Sequence, residues 1–185
     1  FTNFRNKDQE IEKEKKRRID AERRVDDLEK EYNIQLKGKE IKFIEDPETH
    51  VKTLNDALST SNEKIIILSG WVTDRVIDKK FKELLLDALK RGVEIYIGYG
   101  YESKNEKKIS SKEQKNAQRE LEDLQSWCSE FKPEGRLNVY NFPTHQKLLI
   151  SDDKYMVCGS FNWLSNSGYG HNVELSVGVI DQEII

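Results

Sequence analysis

The pattern of hydrophobic and polar residues changes abruptly near residue 40. Residues 5–40 are polar almost throughout, with no Pro and one late Gly, and Glu repeatedly stands at helical spacing from Lys or Arg. Such pairs favour a long, solvent-exposed helix. Its apolar residues are sparse and form a heptad-like stripe only from Val25 onward. The pattern predicts a charged helical extension at 1–40, either a solvated linker or a short coiled coil, and a folded domain at 41–185.

Within the domain, apolar runs of strand length alternate with amphipathic helices. Residues 64–71 and 93–100 are continuous apolar runs, typical of strands covered on both faces, and the segment 76–92 between them is amphipathic and ends in a glycine. This order predicts a right-handed βαβ unit. The other predicted elements are a strand at 41–44, helices at 47–61 and 116–131, and strands at 137–142, 145–152, 155–160 and 173–180. We therefore predict an α/β fold, a mixed, largely parallel sheet flanked by helices and preceded by the long charged helix.

Composition and charge narrow the possible partners. The 185 residues suffice for one core, and a content of 35% charged residues is too high for a compact surface alone, which supports a solvated extension. A net charge of -3 provides no overall positive field, so nucleic acid or an anionic membrane would have to bind a local patch. The segment 104–115, with five lysines, is either such a patch or a solvated loop.

Cysteine usage and hydropathy indicate the compartment. Cys128 and Cys158 form neither a disulfide framework nor a zinc-ligand spacing, which predicts a reducing, cytoplasmic location. No apolar run reaches membrane-spanning length, and the first residues do not form a signal peptide. The chain begins with Phe instead of Met, which suggests a piece of a longer polypeptide, although an artificially chosen start explains this equally well.

The segment THQKLLISDDKYMVCGSFNWLS, residues 144–165, concentrates groups that can act on a phosphate ester. On a strand, alternate residues share a face, so His145 and Lys147 should emerge together, as should Ser160 and Asn162. A neutral imidazole is a competent nucleophile toward phosphorus. An ammonium, a hydroxyl and an amide can hold the non-bridging oxygens. The set predicts binding and attack of a phosphodiester.

The same residues carry a family resemblance. HxKxxxxD followed by GSxN resembles the HKD motif of the phospholipase D superfamily, and the predicted βαβ unit resembles the family's first unit, so the likeness covers about 41–185. It implies phosphodiester hydrolysis through a covalent phosphohistidine, with no metal ion and no cofactor. In similar family members an acid roughly a dozen residues beyond GSxN orients the histidine, and Glu174 fits this role. Asp152 belongs to the motif, but its distance from His145 along the strand suggests a structural hydrogen-bonding role.

Other histidines, acids and cysteines offer no competing site. Asp152 and Asp153 would face opposite sides of a strand and make a poor chelate, and no other His, Asp or Glu cluster has metal-site spacing. His50 on a helix and His171 in a glycine-rich loop are interpreted as bystanders, although His171 could lie near the site. Cys158 is interpreted as a packing residue within an apolar strand.

The chain has one HKD motif where the chemistry needs two histidines. One histidine attacks phosphorus and another protonates the leaving oxygen, and phospholipase D-like enzymes supply them from two motifs related by a pseudo-twofold axis. The simplest resolution is a homodimer with a shared site, to which each subunit contributes His145, Lys147, Ser160 and Asn162. Small bacterial endonucleases of the superfamily resemble this arrangement. A second motif in a longer parent chain is the competing explanation.

Three functions remain open for such a domain. An endonuclease that cleaves DNA, with RNA as an alternative substrate, is preferred, because the length and single motif resemble the family's nucleases more than its lipases. A phospholipase D-type lipid hydrolase is the second hypothesis, and a non-catalytic nucleic-acid-binding or assembly module is the third. The charged helix could connect the domain to further domains or a partner, and no membrane span is expected.

Overall fold

The computed structural model describes residues 39–100, 111–168 and 173–181, together with scattered positions between 13 and 27. The scattered positions have helical backbone, and the rest of the predicted helix at 5–40 lies outside the described residues. His171 and most of the lysine-rich segment 104–115 also lie outside them. The chain divides into two compact units, Phe1–Lys39 and Glu40–Ile185.

The described residues from Lys39 onward contain seven strands and three helices. The strands are β1 (Lys39–Ile44), β2 (Lys64–Ser69), β3 (Glu94–Tyr99), β4 (Leu137–Asn141), β5 (Leu148–Ser151), β6 (Tyr155–Gly159) and β7 (Ser176–Asp181). The helices are α1 (Pro47–Thr60), α2 (Lys79–Lys90) and α3 (Ser111–Glu130). Asp46 and Asp78 cap α1 and α2 by accepting the backbone N–H of Thr49 and Phe81, at 2.6 and 2.8 Å. None of the described helices is long and apolar enough to cross a membrane.

The strands form one mixed sheet in the order β1-β7-β6-β5-β2-β3-β4. Strands β2, β3 and β4 are parallel, and β5 pairs antiparallel with β2 and with β6, which pairs antiparallel with β7. The predicted α/β fold with a mixed sheet and flanking helices is confirmed, including the βαβ unit β2-α2-β3. The described parallel pairs are β2–β3 and β3–β4, and the pairs β2–β5, β5–β6 and β6–β7 are antiparallel, so the sheet is mixed but less parallel than predicted.

One face of the sheet forms the core. Side chains alternate along each strand, so every second residue of the central strands points to the same face. On that face the strand residues are almost fully buried and pack in one cluster with leucines of all three helices. The strand members are Ile65, Ile67, Ile95, Ile97, Leu149 and Val157, and the helical members include Leu54, Leu58, Leu85, Leu89, Leu121 and Leu124.

The opposite face of the sheet is apolar but only partly buried. The strand register places its side chains in two rows that cross β2, β5, β6 and β7. We define these residues as the open face: Ile66, Ile150, Met156 and Val179 in one row, and Leu68, Leu148, Cys158 and Val177 in the next. All eight are half-buried or exposed. The interpretation of Cys158 as a packed core residue is wrong for this chain, because its side chain is exposed on the open face.

Several predicted boundaries are also wrong, among them the start of α2, which was expected at residue 76 and lies at Lys79. The strand expected at 145–152 begins at Leu148, and the strand expected at 173–180 begins at Ser176, so His145, Lys147 and Glu174 lie in the segments before those strands. The third helix begins at Ser111 instead of residue 116. Its first residues are polar and carry no apolar periodicity, so a pattern search could not detect them.

Candidate active site

Antiparallel pairing brings the predicted site residues to one edge of the sheet. His145 and Lys147 lie just before β5, and Ser160 lies just after β6. Because β5 and β6 run in opposite directions, the start of one meets the end of the other, and the backbone N–H of Gly159 donates to the Lys147 carbonyl at 3.3 Å. The antiparallel pair of β6 and β7 likewise places Glu174, just before β7, at the same edge.

Ser160 and Glu174 form the best-defined contact of this edge. The Ser160 hydroxyl donates to Glu174 Oε2 at 2.5 Å and accepts from the backbone N–H of Leu175 at 3.0 Å. Asn166 Nδ2 donates to the other carboxylate oxygen at 3.4 Å. These bonds hold the carboxylate in one orientation at the sheet edge. The predicted role of Glu174 in orienting the His145 ring stays a prediction.

Lys147 belongs to the same electrostatic group. Its ammonium is half-buried and donates to the backbone oxygen of His145 at 2.8 Å. Burial lowers the pKa of Lys147 below its ordinary value, and the nearby negative charge of Glu174 opposes this shift. A lysine in this position can hold phosphate oxygens while it remains protonated.

The segment that carries His145 is anchored to the end of β3. The backbone N–H of Thr144 donates to the Gly100 carbonyl at 3.0 Å, and the buried Thr144 hydroxyl accepts from the backbone N–H of Gln146 at 3.1 Å. His145 lies between these two anchored residues and is exposed. Thr144 stabilises an irregular segment through local hydrogen bonds. Such bonds leave no periodic pattern in the sequence, so the role of Thr144 could not be predicted.

Asn162 has bonding capacity that the protein does not use. Its backbone oxygen accepts from the N–H groups of Ser165 and Asn166, which forms a tight turn after the GSxN sequence. Its side-chain Oδ1 is buried, and among the described residues it has no hydrogen-bond partner. Buried polar atoms are nearly always paired, so an unpaired oxygen next to the site is typical of a place where water or a ligand binds.

Asp152 lies apart from the other motif residues, at the opposite end of β5. Its carboxylate accepts the backbone N–H groups of Asn62, Glu63 and Lys64 at 3.0, 2.9 and 2.8 Å. Burial raises its pKa, but these three donors and the charge of Lys154 outweigh burial and hold the pKa below its ordinary value. Asp152 therefore ties the β5–β6 turn to the start of β2, which is the structural role expected of it.

His50 is buried in the core, and its interpretation as a bystander of the catalysis stays a prediction. Its ring is fully buried, with hydrogen bonds to the backbone oxygen of Asp46 and to Ser176 Oγ, both at 2.8 Å, and it stacks on Phe161 with ring centroids 4.3 Å apart. A signal existed in the sequence. His50 precedes Leu54 by one helical turn, so the periodicity that buries this leucine also buries the histidine.

The described residues contain no group of three or more His, Cys, Asp or Glu side chains arranged to bind a metal ion. The side chains at the site edge are instead an imidazole, an ammonium, a hydroxyl, an amide and a carboxylate. Such a set can bind an anionic ester and supply a nucleophile.

Comparison with known proteins agrees with this chemistry. A family profile described as "Cardiolipin synthase, PLD-like domain" matches residues 54–185. NucT from Helicobacter pylori shares the fold with a TM-score of 0.51 at 19% identity, over 79% of this chain and 88% of that one. The phospholipase D family member Nuc from Salmonella typhimurium does so with a TM-score of 0.52 at 19% identity, over 79% and 86%. No curated protein matches the chain. The profile spans well over half of the chain, and the chain therefore belongs to the phospholipase D superfamily of phosphodiesterase-type enzymes.

Proposed function

We propose that this protein is a metal-independent endonuclease that cleaves DNA, with RNA as an alternative substrate, in a site shared by two copies of the chain. The observation that carries the proposal is the meeting of His145, Lys147, Ser160 and Glu174 at one sheet edge. The shared fold with proteins named Nuc and NucT supports the choice of nucleic acid.

In the proposed reaction, an imidazole nitrogen of His145 attacks phosphorus, and an N–P bond forms as the P–O bond to the leaving oxygen breaks. His145 of the partner subunit donates the proton that the leaving oxygen takes up. Water then attacks the phosphohistidine, loses its proton to His145 of the partner subunit, and frees the first imidazole. Lys147 and Asn162 hold the non-bridging oxygens through both steps.

The open face supports the proposed homodimer. It begins directly beside the site, because Leu148 follows Lys147 and Cys158 precedes Gly159. A contiguous apolar surface of this kind is unusual on a monomer and typical of an interface. A second copy that covers the open face through a twofold axis at the site edge would bring two His145 side chains to one phosphodiester.

A phospholipase D-type lipid hydrolase is the second candidate. The family profile carries the description of a cardiolipin synthase, and two apolar side chains flank Glu174, namely Val173 and Leu175, which are 91% and 51% exposed. An exposed apolar rim is what a lipid substrate would contact. We prefer a nuclease because these side chains also adjoin the proposed dimer interface, and the single motif fits a small shared-site nuclease.

One assay separates these functions. The purified protein is incubated in EDTA with single-stranded DNA, duplex DNA, RNA and phosphatidylcholine. The variant His145→Ala is assayed beside it. Asp153→Ala, a change at an exposed residue outside the proposed site edge, is the control. We expect DNA cleavage that persists in EDTA, that falls by about 1,000-fold or more in His145→Ala, and that Asp153→Ala retains. Choline release without DNA cleavage would support the lipid hydrolase. Binding of DNA without turnover would support the non-catalytic module.

A further inference from the structure

We infer that His50 is a positioning residue, which holds the GSxN segment and the start of β7 in the arrangement that the active site requires. The inference rests on the proposed phosphodiesterase function of that site. His50 lies in the first turn of α1, outside the HKD motif, and it contacts the two segments that carry Ser160 and Glu174.

The hydrogen bonds of His50 determine its tautomer. The Asp46 carbonyl can only accept, so Nδ1, at 2.8 Å from it, must carry the ring proton. In the neutral ring, Nε2 then has a lone pair and accepts from the Ser176 hydroxyl at 2.8 Å. The ring therefore links the start of α1 to the first residue of β7 through two directional bonds in a fully buried place.

The other contacts of His50 extend this link to the GSxN segment. Its ring stacks on Phe161 with an interplanar angle of 14°, and Phe161 lies between Ser160 and Asn162 in the sequence. Ser176 in turn packs against the backbone of Gly159, where a Cβ atom would lie only 2.3 Å from Ser176 Oγ. His50 therefore supports the GSxN segment in two ways, through its stacking on the Phe161 ring and through the Ser176 hydroxyl, which packs against Gly159.

An apolar side chain could fill the same volume but could not form these bonds. A buried leucine would leave the Ser176 hydroxyl without its acceptor, and an unpaired buried polar group is destabilising. The hydroxyl would turn to another partner, and the start of β7 would move with it. A displacement of about 1 Å in a catalytic group can lower turnover by about 100-fold, so the contacts of His50 can matter for rate without touching substrate.

The test uses the full chain with three variants, assayed on DNA and on bis(p-nitrophenyl) phosphate. His50→Leu keeps the volume and removes both bonds, His50→Gln keeps an acceptor for Ser176, and Ser176→Ala removes the same bond from the other side. We expect kcat to fall by about 10- to 100-fold in His50→Leu and Ser176→Ala and by less in His50→Gln, with KM changed by less than about threefold.

Leu58→Ala serves as the matched control, because Leu58 is fully buried in the same helix about two turns towards its other end. A general loss of stability should lower the folded fraction of this variant and leave the kcat of the folded protein unchanged. Wild-type kcat in folded Ser176→Ala and His50→Gln would overturn the inference, even if His50→Leu does not fold.

A failure of the proposed function can be distinguished from a failure of the positioning role. A wild-type protein that cleaves neither substrate refutes that function, and the inference is then tested by NMR alone. The amide resonances of Ser160, Asn162 and Glu174 should shift in His50→Gln and Ser176→Ala but not in Leu58→Ala. Unchanged resonances in the first two variants would refute the positioning role.

Discussion

At the scale of single residues, the site edge depends on opposing electrostatic effects. The Lys147 ammonium is half-buried, which favours its neutral form, and the Glu174 carboxylate favours its charged form. Ser160 and Asn166 hold that carboxylate in place. The charge of Lys147, on which the proposed phosphate binding depends, is therefore stabilised by a residue that lies far away in the sequence.

A first prediction concerns the titration of Lys147. Its pKa should lie below that of an ordinary lysine, and Glu174→Gln should lower it further, because the substitution removes the negative charge that opposes the effect of burial. The measurement is an NMR titration of ¹³C-methylated lysines, with Lys147→Arg to assign the signal. In the wild type, kcat/KM should fall on the alkaline side as this ammonium loses its proton. A midpoint that rises in Glu174→Gln would contradict the assigned charge interaction.

A second prediction concerns Asp152 and stability. The residue has φ of +49°, a conformation that Asn tolerates, so Asp152→Asn removes the charge without adding backbone strain. Because the folded-state pKa is below the unfolded value, the stabilisation is present above the unfolded pKa and is lost as pH falls through the folded one. We expect Asp152→Asn to lower the free energy of unfolding by about 1–3 kcal/mol at pH 7, and by less in acid.

Urea denaturation at neutral and acidic pH measures this difference. Asp153→Asn is the matched control, because the same change is made at the next residue, whose side chain is exposed. It should have little effect at either pH. Equal destabilisation by the two variants would show that the three backbone hydrogen bonds of Asp152 are not the source of its effect.

At the scale of secondary-structure elements, the close approach of β6 and β7 shapes the site. Gly159 ends β6, and a Cβ there would lie 2.3 Å from both the Leu175 carbonyl and Ser176 Oγ. Without a side chain at Gly159, the start of β7 can lie against the end of β6. This approach places Glu174 within hydrogen-bonding distance of Ser160. A glycine is therefore required at position 159 because a larger residue would collide with the neighbouring strand β7.

A third prediction follows from this contact. Gly159→Ala should push the start of β7 away, separate Glu174 from Ser160, and destabilise the fold by about 1–3 kcal/mol. Activity on DNA should fall more steeply than the folded fraction does. Gly178→Ala is the matched control in β7, because its added Cβ would lie 3.5 Å from the nearest atom, an ordinary van der Waals contact. Kinetics together with thermal denaturation of both variants measure the effect, and equal behaviour of the two glycines would refute it.

Some secondary-structure elements could be predicted from the sequence, and others could not. The apolar runs of β2 and β3 and the periodicity of α2 predicted these elements, because burial on both faces of a strand or on one face of a helix leaves a local pattern. The segments before β5 and β7 were predicted as strand because their residues suit a strand. Whether such residues join a sheet depends on the neighbouring strand, which local patterns do not reveal.

At the scale of the whole molecule, helices bury one face of the sheet and leave the other partly exposed. One face is buried by three helices, and the open face leaves Met156 40% exposed and Cys158 exposed. Apolar surface gains free energy when it leaves water, so the open face favours association. Because the open face lies beside the site edge, it supports the proposed homodimer, in which a second copy would complete the active site.

A fourth prediction concerns this association. Met156→Lys should yield a monomer, because it places a charge within the proposed apolar interface, and DNA cleavage should fall with the dimer fraction. Phe131→Lys is the matched control, since Phe131 is a comparably exposed apolar residue just after α3 and outside the open face. Light scattering coupled to gel filtration measures the mass of each. A wild-type monomer that cleaves DNA at full rate would rule out the shared site.

Mixed dimers test the same arrangement by catalysis. Wild-type and His145→Ala chains that assemble at random in equal amounts should retain about a quarter of the activity of the wild type, because both histidines are required and about a quarter of the dimers carry both. Independent sites would retain about half. The comparison uses differently tagged chains, produced together and purified without separation of the dimers.

By itself, the sequence determined the order of the elements, the amphipathic faces of the helices and the motif residues, because each depends on spacing between near neighbours along the chain. Only the tertiary structure decided which strand ends meet, and this placed Asp152 away from His145 and brought Glu174 to Ser160. The same holds for His50 and Ser176, which are 126 residues apart and form a hydrogen bond. Such contacts arise from strand pairing and helix packing over long sequence separations, and no local pattern encodes them.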